Sequence, residues 1–441
     1  MYSQRHRGNV IMMMIHVVQE GDTINSIAES YGVSVTRLVQ ENELKFTDNL
    51  VLGQTIVITF PEKTYTVKEG DTLEEIAASN GISLTQLLRN NSFLADREFI
   101  YPGETLIISY HYESQISTFG YALPFINPTI LKKTLPNLTY LFIYNYRLAG
   151  NGDVFPFYDD TDIIETTKAF KTVPILLVTT LSAQGSPNIQ AAYEILLNES
   201  VQDILIENII QILKLKGYYG LCLTYLYLSE TNQNLYDNFT KRVSSRLTSE
   251  GYLLFITADP GIRITSDGVD FNKVDYSTIA SEVQGISFIS YVWGTNITPP
   301  SPISSIANIN LLLDYVKQMT PLDKIIAGIQ IVAYDWEIPF VAGFTRANAL
   351  SLEGAINLAR TVGAVIQFDE ISQTPYFEYV IEESFYTKQH IVWFIDARTI
   401  DSLTDLIIEN QYRGPSVWNI MNYFPQLWLV INSQYELEEL V

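Results

Sequence analysis

The segment where reactive side chains would be sought is bare of them. Gly217-Tyr-Tyr-Gly-Leu-Cys-Leu-Thr-Tyr-Leu-Tyr-Leu-Ser229 reads as a buried strand and offers no carboxylate in any register. The nearest acid is Glu230, which shares the strand parity of Leu226. Four strand residues at about 3.3 Å each place it roughly 13 Å further along, so a loop or helix-cap role suits it better than proton donation. Cys222, between Leu221 and Leu223, reads as a buried thiol rather than a nucleophile. His6, His16, His111 and His390 are scattered and make no metal-ligand set. Neither a phosphate-cradling glycine loop nor a paired nucleophile–base arrangement is present. No cofactor is expected.

Composition bounds what such a chain can contact. The 441 residues suffice for two or three domains, and 47% hydrophobic content with 12% aromatics supports a large core. Forty-nine acidic against 27 basic residues give a formal charge of −22. That field repels nucleic acid and anionic membranes and favours neutral or cationic partners. A single cysteine excludes an internal disulfide framework. No run approaches the roughly 20 apolar residues of a membrane span. Val10-Ile-Met-Met-Met-Ile15 superficially mimics a secretion signal, but no small-residue cleavage site follows. Residues 1–14 are therefore expected to be an irregular leader on a protein made in the cytoplasm.

An internal repeat follows. His16-Val-Val-Gln-Glu-Gly-Asp-Thr23 recurs as Tyr65-Thr-Val-Lys-Glu-Gly-Asp-Thr72, with Gly32 repeating as Gly81, Asn42 as Asn91 and Gly53 as Gly103. Each unit reads strand, helix, helix, strand, with a glycine stop after the first helix. Thr72 and Glu75 have the spacing of a reciprocal capping box. On the Gly-Asp-Thr motif, the Gly-Val/Ile-Ser turn and the late Gly-Gln/Glu-Thr, residues 15–59 and 64–110 resemble LysM modules. The resemblance implies binding of N-acetylglucosamine glycans, peptidoglycan or chitin, in a shallow groove. Its lips would be Gly21, Asp22, Thr23 and Leu50, Val51, Leu52, Gly53 in the first unit. In the second they would be Gly70, Asp71, Thr72 and Ile100, Tyr101, Pro102, Gly103. The same aspartates and threonines could equally serve only to cap helices.

Beyond a junction near 111–116, apolar strands at 118–123, 140–146, 174–180, 219–227, 253–258, 286–293, 325–333 and 416–422 alternate with amphipathic segments. Eight strands with intervening helices point to a (β/α)8 barrel over 115–434, with a tail at 435–441. Residues 337–394 form an excursion between strands seven and eight. Gly120-Tyr121, Ser290-Tyr291, Tyr334-Asp-Trp336 and Trp418, following two LysM-like units, resemble the spore-associated branch of family 18 glycoside hydrolases. That resemblance implies a small α+β insertion at 337–394 and a sugar cleft near Tyr291, Asp335, Trp336 and Trp418. Asp369 and Glu370 would bind sugar hydroxyls or hold the insertion. It also implies a strand-four pattern Asp-x-x-Asp-x-Asp-x-Glu, whose acidic positions fall on Tyr219, Cys222, Thr224 and Leu226. Val292 stands where a further carboxylate is usual.

On these residues the expectation is a non-catalytic glycan-binding protein of cell wall or spore, with peptidoglycan or chitin-type glycans as partners. No nucleic acid and no membrane insertion are expected. The barrel would serve as lectin or scaffold. Two alternatives stay open: a self-assembling structural protein of the spore, and an active spore-cortex N-acetylglucosaminidase whose acid has been relocated.

Overall fold

The computed structural model describes residues 3–7, 10–95, 97, 99–181, 185–265, 268–289, 296–383 and 386–440. In the first module, helices Ile24–Tyr31 and Val35–Glu41 lie between strands Val10–Val17 and Thr55–Thr59, which pair antiparallel with His16 opposite Ile56. The second module repeats this with helices Leu73–Asn80 and Leu84–Asn90 and strands Lys63–Thr66 and Thr105–Ser109.

The repeated asparagines have a structural task. The Asn42 amide donates to the carbonyls of Leu38 and Val57 and accepts from the Val57 amide. Asn91 does the same with Leu87 and Ile107. Each ties the second helix to the closing strand and leaves no buried backbone group idle there. The reciprocal capping box belongs to the first module, where Thr23 and Ser26 exchange hydrogen bonds of 3.0 Å. In the second module only the Thr72 half is present, its hydroxyl accepting from the Glu75 amide at 3.2 Å.

The expected leader is corrected. Val10–Val17 is one strand of the first module, and Ser3–Arg7 pairs with it antiparallel. Met14 packs with Ile56 and Ile58 against the module's helices, while Met13, Ile15 and Val57 join the barrel's core on the opposite face. A strand buried on both faces must be apolar throughout. The run that mimics a signal segment is therefore the seam between two domains.

The barrel is a nine-stranded sheet closed on itself. Its parallel strands, in order around the barrel, are Phe119–Ala122, Tyr140–Leu148, Val173–Thr179, Gly220–Tyr225, Leu253–Ala258, Gly285–Phe288, Ile325–Gln330 and Gly414–Trp418. Val154–Pro156 adds an antiparallel hairpin to the second. Along strand four, Leu221, Leu223 and Tyr225 face the helices while Cys222 faces the interior among Phe119, Tyr121, Phe142 and Phe255. The excursion is a five-stranded antiparallel sheet with helix Leu352–Val362, and it begins at Ala333. The expected tail is a strand: Tyr435–Leu437 pairs in parallel with Ser114–Ile116.

Candidate functional site: the barrel mouth and the module grooves

Inside the barrel, one polar layer links neighbouring strands. The Tyr121 hydroxyl lies 2.7 Å from Thr257 Oγ1, which also contacts Cys222 Sγ at 3.3 Å. Ser287 and Ser416 share a hydrogen bond of 2.8 Å. Burial pushes the Cys222 thiol up to about 12, so it carries no thiolate at neutral pH. Above this layer Trp418 is half-buried, packed on Tyr121 at 5.3 Å and edge-on to Tyr144 at 6.1 Å between ring centroids. Tyr144 in turn stacks on Phe157 at 6.2 Å. Together these rings form an aromatic floor suited to the apolar faces of sugar rings. Near the first two strands, exposed Phe125 and Tyr158 meet edge to face at 5.0 Å.

The four substituted positions do not converge. Tyr219 precedes strand four, at the end away from the mouth, and is 42% exposed. Cys222 lies in the interior layer, and Thr224 donates to the Val178 carbonyl at 3.1 Å. Leu226 follows the strand at the mouth and is partly exposed. Tyr291 and Val292 lie outside the described residues.

The structure corrects two expected cleft residues. Trp336 is fully buried, packs with Ile303 and Ala347, and donates its indole N–H to the Thr298 carbonyl at 2.9 Å. Asp335 is buried and accepts from the Tyr379 hydroxyl at 2.8 Å, with His390 Nδ1 at 2.9 Å on its other oxygen. Their alternation along an insertion strand puts both in the small sheet's packing. Asp369 is held by the Ser372 amide and hydroxyl, which outweigh burial and keep its carboxyl below the usual range. Glu370 is exposed. Glu230 accepts from the Lys273 amide at 2.8 Å and so fixes a loop.

One mouth carboxyl was missed by the sequence reading. Asp259 follows strand five, and its amide donates to the Tyr225 carbonyl at 3.3 Å, extending the ladder past the strand's end. The register pairs Thr224 with Thr257 and Tyr225 with Ala258, so the next pair is Leu226 with Asp259. Thr257 points into the interior, whereas Asp259 lies past the strand's end and its charge is felt by Tyr276 in the helix-side core. Its Oδ1 accepts from the Gly261 amide at 2.9 Å. Burial raises its pKa to about 6, against the lowering effect of that amide. The available signal was positional: an acid directly after a barrel strand, at the end where such barrels keep their chemistry.

The module grooves are unequal. Asp22 accepts from the Gln19 amide at 2.7 Å and contacts His16 Nε2 at 2.8 Å. Asp71 accepts from the Lys68 amide at 2.7 Å and the Tyr65 hydroxyl at 2.9 Å. Both aspartates close their turns, whereas Thr23 and Thr72 cap the helices; Gly21 and Gly70 stay exposed. The second lip of the first module is docked on the barrel's insertion. Ile366 donates to the Leu52 carbonyl at 2.9 Å, Arg360 to the Asn49 carbonyl at 2.9 Å, and a Cβ on Gly53 would meet the Ile366 oxygen at 2.0 Å. Leu50 and Val51 lie in the same docked lip. In the second module, Ile100–Gly103 faces outward, with Tyr101 61% and neighbouring Phe99 69% exposed.

This architecture fits the comparisons. Residues 107–422 match the model of glycosyl hydrolases family 18, and residues 16–59 and 65–109 each match the LysM domain. The chain belongs to glycosyl hydrolase family 18 and carries tandem LysM modules, which imply peptidoglycan binding. It is 32% identical over 434 residues to the cortical fragment-lytic enzyme of Bacillus subtilis (strain 168), covering 96% of this chain and 99% of that protein. The cortical fragment-lytic enzyme of Bacillus anthracis is 31% identical, with 97% and 99% covered. The crystal structure of the Bacillus cereus spore cortex-lytic enzyme SleL superposes with a TM-score of 0.78 at 28% identity, covering 97% of this chain and 99% of that one.

These relatives overturn the expectation of a non-catalytic protein, because those that match end to end are lytic enzymes. The misreading rested on strand four, whose expected acidic positions are Tyr219, Cys222, Thr224 and Leu226.

Proposed function

We propose that this chain is an active glycosidase that cleaves N-acetylglucosamine-containing peptidoglycan fragments of the bacterial spore cortex. The observation that carries the reading is the end-to-end similarity to cortical fragment-lytic enzymes, through both modules and the barrel. The aromatic floor at Trp418 orients the sugar ring, and the module pair holds the chain on polymer. A second binding point on one chain raises the effective concentration of the first along a polymer. The cleavage needs a proton for the departing oxygen, and Leu226 has none to give, so that proton must come from another group at the mouth. The reading places the protein at the spore, as the named relatives do.

The test is incubation of purified full-length protein with cortex fragments and separation of the released muropeptides. New reducing ends above the buffer baseline support the reading. Release equal to buffer on cortex fragments and on soluble N-acetylglucosamine oligomers contradicts it.

A further inference from the structure

We infer that the joint between the first module and the barrel is a separate saccharide site, taking one neutral N-acetylated sugar unit at a glycan end. A cavity of about 310 Å³ opens there. One wall is the module's segment 42–46 with Gln54 and Thr55. Facing it are helices Pro128–Thr134 and Leu352–Val362 and the segment 422–426 that follows strand eight. None of its lining residues belongs to the aromatic floor at Trp418 or to the expected lips of the module grooves. The volume lies at the lower end of the roughly 300–1,000 Å³ that small-molecule pockets span, which suits a sugar unit rather than a run of polymer. Thr129 and Asn422 line the cavity and are exposed, so it opens to solvent.

The lining chemistry selects the ligand. Gln54 is only 7% exposed; its Oε1 accepts from the Val51 amide at 3.2 Å, and its Nε2 has no partner among the described residues. A buried amide donor on a cavity wall needs an acceptor, and a sugar hydroxyl or acetamide oxygen supplies one. The neighbouring floor is rigid: Gln426 accepts from the Thr55 hydroxyl at 2.8 Å and donates to the Thr55 carbonyl at 2.6 Å. Phe46, Tyr423 and Phe424 add aromatic faces that match the apolar face of a pyranose, and the Arg360 guanidinium steadies Phe46 at 4.5 Å.

The charges around the cavity are already matched. Lys45 pairs with Glu353 at 2.7 Å, Lys133 with Glu43 at 3.0 Å, and Asp396 with Arg398 at 2.7 Å. An ionic ligand would have to break one of these pairs, whereas a neutral polyhydroxyl ligand can hydrogen-bond to them as they stand. A sugar held here touches module and barrel together and so stabilises the closed seam. The site goes beyond the cleavage reading, because a chain that cut nothing could still hold sugar at this joint.

The experiment is titration calorimetry of the full-length protein with N-acetylglucosamine itself, which has no glycosidic bond to cleave. Wild type is compared with Gln54→Met, which removes the donor at nearly equal side-chain length, and with Thr129→Phe, which puts a ring into the cavity from its exposed rim. Wild type should show a binding event that weakens about three- to tenfold in Gln54→Met, the loss expected for one neutral hydrogen bond. The same event should vanish in Thr129→Phe, and the sugar should raise the melting temperature of wild type more than that of this variant. Melts without sugar establish that each variant is folded. If folded Thr129→Phe takes up the sugar with wild-type stoichiometry and affinity, the cavity is not the site. If wild type binds no sugar at all, the inference fails, while the glycosidase reading is decided separately by reducing-end release from cortex fragments.

Discussion

At the residue scale, Asp259 links burial to stability. Its pKa is raised to about 6 in the folded protein, from an ordinary value near 4 when unfolded. Below about pH 4 both states are protonated and the group contributes nothing adverse. As pH rises through 4 to 6 the unfolded chain releases its proton first, so stability falls, and above about 6 the cost is constant. Asp259→Asn keeps the acceptor for the Gly261 amide and removes the charge. It should therefore raise stability at pH 7 by up to about 3 kcal/mol, at about 1.4 kcal/mol per pH unit, with no gain at pH 4. Urea titrations at the two pH values check this; an equal effect at both would remove burial as the cause of the shift.

Among the elements, the two LysM units show what the repeat could and could not reveal. Asn42 and Asn91 each make three hydrogen bonds to the backbone while buried. Asn91→Ala leaves two carbonyls and one amide with lost partners, so it should cost about 1–3 kcal/mol or more, read as a shift in the denaturation midpoint. Helices and their glycine stops were legible because apolar spacing and a left-handed cap are local features: Gly32 and Gly81 sit at φ of 66° and 73°. The eight barrel strands were legible for a similar reason, as buried runs between amphipathic helices. Val10–Val17 was not, because an all-apolar segment reads alike as signal, leader or doubly buried strand, and only its barrel contacts decide. Trp336 and Asp335 were misplaced because sequence gives a side chain's type without telling which face of the insertion sheet it takes. Asp259 escaped because the pattern directed attention to strand four, although an acid closing a strand was visible.

Across the whole molecule, the first module serves as a joint and the second presents a free face. The module-one lip meets the insertion through Leu52, Gly53, Asn49 and Arg360, reinforced by Lys45–Glu353 at 2.7 Å and by Thr55–Gln426 at 2.8 Å. Gly53→Ala adds a methyl where 2.0 Å separates it from a carbonyl oxygen, at a φ of 83° that favours glycine. It should loosen this seam, lowering the melting temperature and speeding proteolysis between module and barrel. Phe99 and Tyr101 are exposed on the second module. Tyr101→Ala in the full chain should reduce retention on insoluble peptidoglycan several-fold, whereas Leu52→Ala should not, as measured by sedimentation of bound protein. Equal losses from both would assign the two grooves equal roles.

The claim that joins these scales is that a barrel lacking the strand-four glutamate still cleaves glycosidic bonds. Its most direct test is the initial rate of reducing-end release from purified cortex fragments by the full-length protein, followed from pH 4 to 8. The account predicts turnover well above buffer within that range. A rate indistinguishable from buffer at every pH would contradict it.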